Sequence, residues 1–372
     1  MTSSQPFTRP IPSPEPGPTS VEDPGAELFE QYTKGYGMYL AGEYGQFIRK
    51  LPHTAFLVDG FLPASSVNIL VGDSGIGKSA LAYQLALATA AGKPFLGMPT
   101  RKSKVVIVDY ENSPVDSHWM LEQQRKHLGL VKYPAGSLIV WPVQNCPSPD
   151  LTTSVVEKVV RQFAADLVIL DSLRSFSPEM EKENSIAVEQ IKRLRVMTAR
   201  HGTAVLLVHH VRKHSVRHRA PLEEGHVLDW LMRSAGCRAL INQTDVRLAA
   251  ALPDNGNGDL VLRGHFRTRG EIGPFTIARK WDDSGEPTGY DRVEATLAML
   301  DNPEQEAAFL ALGESFHFKQ ARMIYGKQGQ ATTRFLHKLI RLGLASKIGR
   351  GEYRKNEVAQ NAGLTPETAS YQ

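Results

Sequence analysis

"VGDSGIGKSA", residues 71–80, lies between two different hydrophobic patterns. The apolar run Val67, Ile69, Leu70 and Val71 leads in, and the helical pattern LAYQLALATAAG, residues 81–92, leads out. The spacing is G-x-x-x-x-G-K-[ST], with a strand before it and a helix after it. Glycines let the backbone curl so that its N–H groups face an anion, and the helix that starts there adds its positive end. Gly72, Asp73, Ser74, Gly75, Ile76, Gly77, Lys78, Ser79 and Ala80 are therefore read as a phosphate cradle. Lys78 is placed to reach the outer phosphates of a nucleotide and Ser79 to ligate Mg²⁺. ATP and Mg²⁺ are the expected cofactors.

Working outward, apolar strand-like runs alternate with helical stretches from Phe56 to about Arg292. The runs are VNILVG, KVVIVDY, SLIVW, DLVILD and AVLLVH, followed by VRLAA, DLVLRG and FTIARK. Alternation of this kind predicts an α/β fold, a mostly parallel sheet covered on both faces. The last runs follow one another without helices and predict an antiparallel edge.

Three strand ends carry polar groups suited to a nucleotide. DLVILD ends in Asp171, placed to hold the Mg²⁺ shell. KVVIVDYEN ends in Asp109 and Glu111, and a carboxylate there can orient and deprotonate the attacking water. Glu111 is the better choice, because Asp109 is still within the strand. AVLLVHH ends in His209 and His210, one of which is placed to sense the γ-phosphate.

Composition narrows the function class. The chain has 372 residues and a formal net charge of only +4, so overall charge implies no polyanionic partner and local clusters must carry that argument. Its two cysteines, Cys146 and Cys237, argue against a disulfide scaffold and fit a reducing cytoplasm. They and the scattered His also lack metal-ligand spacing. No run of about 18 apolar residues is present, so no membrane span is expected, and no signal peptide is readable.

The stretch LVDGFLPASSVNILVGDSGIGKSALAYQLALATAAGKPFLG resembles the start of the RepA-type RecA-like ATPases, hexameric replicative helicases of plasmids and mobile elements. VVIVDYEN, LVILDSLRSFSPEMEKENS and AVLLVHHVRK fall in that family's order, and the resemblance covers about residues 56–285. It implies a RecA-like core, hydrolysis between subunits, and a homo-oligomeric ring, usually a hexamer, on single-stranded DNA. It also implies roles for Lys78 and Ser79 at phosphate and metal, Glu111 as catalytic glutamate, Asp171 as Walker B acid and His210 as γ-phosphate sensor. Arg247 fits the family's arginine-finger position, whereas FRTRG resembles the K-x-R element of related ring helicases, with Arg267 and Arg269 acting in trans. The chain departs from the family at Glu181-Lys182-Glu183-Asn184, where Asp-Glu-Asn is common, and at Arg238 in an otherwise small-residue stretch.

Two basic regions point to DNA. HHVRKHSVRHRAP, residues 209–221, holds four Arg or Lys, four His and no acid. Arg212, Lys213, Arg217 and Arg219 are placed to track phosphates of a single strand. Near the C-terminus, residues 315–355 hold ten Lys or Arg against Glu352 alone. FKQARMIYG, ATTRFLHKLIRLGL and ASKIGRGEYRKN read as helix, helix and hairpin, a winged helix-turn-helix suited to duplex phosphates. Phe335, Leu336, Leu339 and Ile340 form its apolar stripe. Arg334, Lys338, Arg341 and Arg350 are its expected duplex contacts.

The expected organisation is a disordered arm with seven prolines at 1–27, a linker and packing helix at 28–55, and a RecA-like ATPase domain at 56–292. A winged helix at 293–357 and a flexible tail at 358–372 complete it. Two functional readings fit: an ATP-driven DNA helicase or translocase, and a DNA-binding ATPase that does not unwind.

Overall fold

Residue 67 opens a strand in which every side chain is buried, and the reason is its place at the centre of a sheet covered on both sides. The computed structural model describes residues 56–145, 153–211, 222, 226–234, 237–253, 259–293, 300, 302–349 and 351–356. The expectations for 1–27, 28–55 and 358–372, and for Arg212, Lys213, Arg217, Arg219 and Arg350, fall outside the described residues. The same holds for the side chain of Arg341.

A short hairpin, β1 (Phe56–Val58) and β2 (Leu62–Pro63), precedes the main sheet. Six strands of that sheet run parallel: β3 (Val67–Gly72), β4 (Val105–Asp109), β5 (Leu138–Pro142), β6 (Leu167–Asp171), β7 (Ala204–His210) and β8 (Val246–Ala251). Three more, β9 (Leu260–Phe266), β10 (Gly270–Trp281) and β11 (Pro287–Arg292), continue antiparallel. The order across the sheet is β11-β10-β9-β8-β3-β7-β6-β4-β5. The fold is thus an α/β P-loop core of RecA-like type, with the antiparallel edge that the helix-free run of strands predicts.

Helix α1 (Lys78–Ala91) packs on one face of the sheet. Its sequence is largely apolar, and it is buried along most of its length, against strands of the sheet, the edge strand β11 included, and against α2 (Pro114–His127). Gly92 ends it in the left-handed conformation, donating to the Ala88 and Thr89 carbonyls. Ser113 caps α2 by accepting from Asp116 N, with Pro114 at the first helical position. On the opposite face lie α3 (Thr153–Phe163), α4 (Leu173–Phe176), α5 (Asn184–His201), α6 (Val227–Ser234) and α7 (Arg238–Gln243). Two apolar clusters, one per face, form the core of this layered arrangement.

Residues 302–356 build a third cluster of their own. Its elements are α8 (Pro303–Ala311), β12 (Ser315–His317), α9 (Phe318–Tyr325), α10 (Gly329–Arg341), β13 (Ala345–Gly349) and β14 (Glu352–Lys355). The strands pair in the order β12-β14-β13. Phe335, Leu336, Leu339 and Ile340 of α10 are all buried, as their spacing predicts, and the Tyr325 and Phe335 rings stack at 4.5 Å. The short strand β12 carries no readable pattern in the sequence. It exists because Phe316 finds Tyr353 across the sheet, with ring centroids 5.6 Å apart.

Candidate nucleotide site

The parallel strands all present their C-terminal ends at one edge, and the phosphate loop leaves β3 there, beside β7. Close packing dictates glycine at the start of the loop. A Cβ on Gly72 would lie 2.6 Å from the Ala250 carbonyl. Gly75 and Gly77 carry φ of +81° and +97°, a region that side chains disfavour.

Lys78 is the first residue of α1 and is buried. Its ammonium donates to the Asp73 carbonyl at 2.6 Å, which draws the loop around the side chain, and to His210 Nδ1 at 3.1 Å. Burial lowers its pKa, while Asp171 and Glu111 favour the charged form. His210, at the end of β7, also meets Glu111 Oε1 through Nε2 at 3.1 Å. One neutral tautomer satisfies both contacts: Nδ1 accepts from the ammonium and Nε2–H donates to the carboxylate. Lys78, His210 and Glu111 therefore form a continuous hydrogen-bonded chain.

Ser172 donates its hydroxyl to the same Glu111 oxygen. The hydrogen bond from His210, then that from Ser172, hold the Glu111 carboxyl down to about 2 against the opposing effect of burial. Asp109 is occupied otherwise. It is fully buried and accepts from Tyr83 at 2.7 Å, from Ser117 at 3.0 Å and from the Asn112 amide at 3.0 Å. Its surroundings make it a structural anchor for the turn after β4, and Glu111 is the carboxylate that faces the cradle.

Asp171 pairs in register with Asp109 across the β4–β6 ladder. It is fully buried, and neither oxygen has a hydrogen bond of good geometry. The Ser79 hydroxyl lies near enough to favour the carboxylate, yet burial dominates, reinforced by Asp109 and Glu111, and pushes its pKa up to about 6. An orphaned buried carboxylate beside the Ser79 hydroxyl is the donor set a hard divalent cation takes. Ser79 and Asp171 thus fit Mg²⁺.

The histidine pair divides. His209 lies inside β7, 2% exposed, with Nδ1 3.3 Å from Glu181 Oε1, on the face away from Lys78. Burial, the largest single effect, would raise the Glu181 pKa, but the hydrogen bond with His209 and the nearby His209, Arg174 and His210 side chains together outweigh it and lower it. Glu181 belongs to the stretch that departs from the family pattern, and its position beside His209 gives that departure a structural role.

The three arginines separate as well. Arg247 stands in register with Ile69, three residues before the end of β3, and is 7% exposed. Its guanidinium turns inward, donating to the Ile241 carbonyl at 2.5 Å and the Asn242 carbonyl at 3.3 Å. It caps the end of α7, so within this chain the guanidinium is held by backbone carbonyls. Arg267 and Arg269 are exposed in the β9–β10 turn. That turn lies at the N-terminal end of β8, opposite the phosphate loop, since Phe266 pairs with Val246. Arg267 Nη1 is 4.0 Å from Asp245, and Arg269 lies over the Phe56 ring at 5.2 Å. At about 3.3 Å per strand residue, the turn is roughly 15 Å or more from the cradle of its own chain.

In the C-terminal cluster, Arg334 is exposed and Lys338 half-buried on α10. Sequence reasoning misses three groups at the nucleotide site: Ser172 behind Glu111, Gln84 inside α1, and Tyr290, which donates to the Ile76 carbonyl from 214 residues away. Ser172 directly follows the strand end at Asp171, a local signal that could have found it. No local pattern marks the other two.

Residues 40–216 match an AAA domain family. The match takes in the phosphate loop, Glu111, Asp171 and His210, and ends before β8 to β11. Together with the geometry it supports a P-loop ATPase that binds nucleotide with Mg²⁺.

Proposed function

We propose, taking the P-loop ATPase as premise, that this chain is an ATP-driven DNA motor, a RepA-like helicase or translocase working as an oligomeric ring. The observation that carries the reading is the chain Lys78–His210–Glu111 at the end of β7. Arg212 follows His210 by two residues, so the residues that meet the nucleotide run directly into the most basic stretch of the core. Bound triphosphate competes with His210 for the Lys78 ammonium. As His210 turns, Glu111 loses the hydrogen bond that most weakens it as a base, and its affinity for a proton from the attacking water rises. Mg²⁺ held by Ser79 and Asp171 supplies charge neutralisation at the phosphates. His210 thus links hydrolysis to the position of the Arg212–Arg219 segment.

The finger role falls to Arg267 and Arg269 of a neighbouring subunit, because they lie at the sheet end their own cradle does not occupy. Residues 293–357 serve as a winged-helix anchor for duplex DNA. A second reading, a DNA-binding ATPase that does not unwind, draws on the concentration of positive charge at 315–355, which suits a stationary duplex anchor. A forked-duplex assay with Mg²⁺ and ATP separates the two. Strand displacement that needs Lys78 supports the motor. ATP hydrolysis stimulated by single strands, with no displacement, supports the second reading.

A further inference from the structure

β11 is an edge strand of the nine-stranded sheet, and β10 is its neighbour there. On its outer side, glutamine side chains take the place of a strand. Gln84 of α1, 1% exposed, donates from Nε2 to the Tyr290 carbonyl at 2.7 Å and accepts from the Tyr290 amide at 2.8 Å. Gln124 of α2 donates to the Thr288 carbonyl at 2.8 Å. Gly289 lies between these anchors, where a Cβ would strike the His127 ring, so glycine is what lets the strand settle on α2. Three hydrogen bonds thus fix β11 across the two helices that flank the site.

The Tyr290 side chain continues to the phosphate cradle. It is 2% exposed, and the Arg279 guanidinium lies 5.5 Å from its ring. Its hydroxyl donates to the Ile76 carbonyl at 3.3 Å. It also fills the space beside Gly77, where any Cβ would collide with it. The Ile76 carbonyl and the Gly77 N–H share one trans peptide plane and point in opposite directions. Anchoring the carbonyl therefore turns the Gly77 N–H away from β11, as a backbone that cradles phosphate requires.

We infer that Tyr290 is a positioning residue of the phosphate cradle, and that β11 with Gln84 is a strap that joins nucleotide occupancy to the strand leading toward residues 302–356. The inference rests on the nucleotide-binding reading of residues 72–80. Tyr290→Phe keeps the ring and removes only the hydroxyl. Its dissociation constant and KM for ATP should rise about threefold to tenfold, the worth of one hydrogen bond, with a smaller change in kcat. In hydrogen exchange, a non-hydrolysable ATP analogue should slow the 287–292 peptide of the parent and lose that effect in the variant. Unchanged affinity, or a lower melting temperature with unchanged affinity, leaves Tyr290 as packing alone and overturns the inference. So does full protection of 287–292 in the variant. Lys78→Ala, measured in parallel, tests the premise separately: if it binds the analogue as the parent does, the cradle is not the nucleotide site, whatever Tyr290→Phe shows.

Discussion

Asp171 is where pH should act most visibly. Its carboxyl is raised to about 6 in the folded chain by burial, against an ordinary value of 3.8. Between those values the folded state holds a proton that the unfolded state has lost, so this group's contribution to stability declines as pH rises through the window. The shift is worth at most about 3 kcal/mol. Asp171→Asn removes the charge but leaves a buried amide, so a net gain of about 1 kcal/mol at pH 7.5 is expected by thermal melting, together with loss of Mg²⁺-dependent hydrolysis. A cation held by Asp171 would take the ionised carboxylate. Mg²⁺-dependent nucleotide affinity should therefore weaken as pH falls below about 6, which calorimetric titration from pH 5 to 8 reads directly. Affinity that stays flat to pH 5 would remove Asp171 from the metal's ligands. Glu111 has the opposite shift and stays ionised throughout that range. Glu111→Gln should bind ATP normally and turn over at least about 100-fold more slowly. Turnover like the parent's would move the base elsewhere.

At the scale of elements, the β9–β10 turn and β8 differ in what their arginines are free to do. Arg267 and Arg269 stand exposed, whereas Arg247 is bound to α7 carbonyls. Arg247→Ala leaves those buried carbonyls unpaired and should cost about 1–3 kcal/mol of stability. Hydrolysis by the molecules still folded should be close to normal. Substitution of Arg267 and Arg269 by Ala should do the reverse: stability within about 0.5 kcal/mol and turnover reduced by about 10³-fold, the scale of a missing finger. Mixing that variant with Lys78→Ala should restore part of the activity, because intact halves meet at mixed interfaces. The absence of rescue across all mixing ratios would place hydrolysis within single chains.

The whole molecule carries two basic regions, one following His210 in sequence and one in the C-terminal cluster. Neutralising Arg212, Lys213, Arg217 and Arg219 should abolish the stimulation of hydrolysis by single strands. Arg334→Ala with Lys338→Ala should weaken duplex binding and reduce its salt slope by about one for each phosphate no longer neutralised, leaving single-strand stimulation intact. Stimulation abolished in the α10 variant and kept in the other would mean the two surfaces are assigned in reverse. The amino-acid sequence by itself determined the strand order along the chain, the phosphate loop, the strand ends at which Glu111 and Asp171 stand, and the apolar stripe of α10. Each rests on local spacing: a glycine pattern, a continuous apolar run ending in an acid, or a helical period. Only the tertiary structure decided which strand ends meet. It divided His209 from His210 by the two faces of β7, turned Arg247 inward while leaving Arg267 and Arg269 outside, and brought Tyr290 of the far edge strand back against Gly77. Such pairings depend on how the antiparallel edge packs over α1 and α2, and contacts between residues some 200 positions apart leave no periodic trace in a single chain.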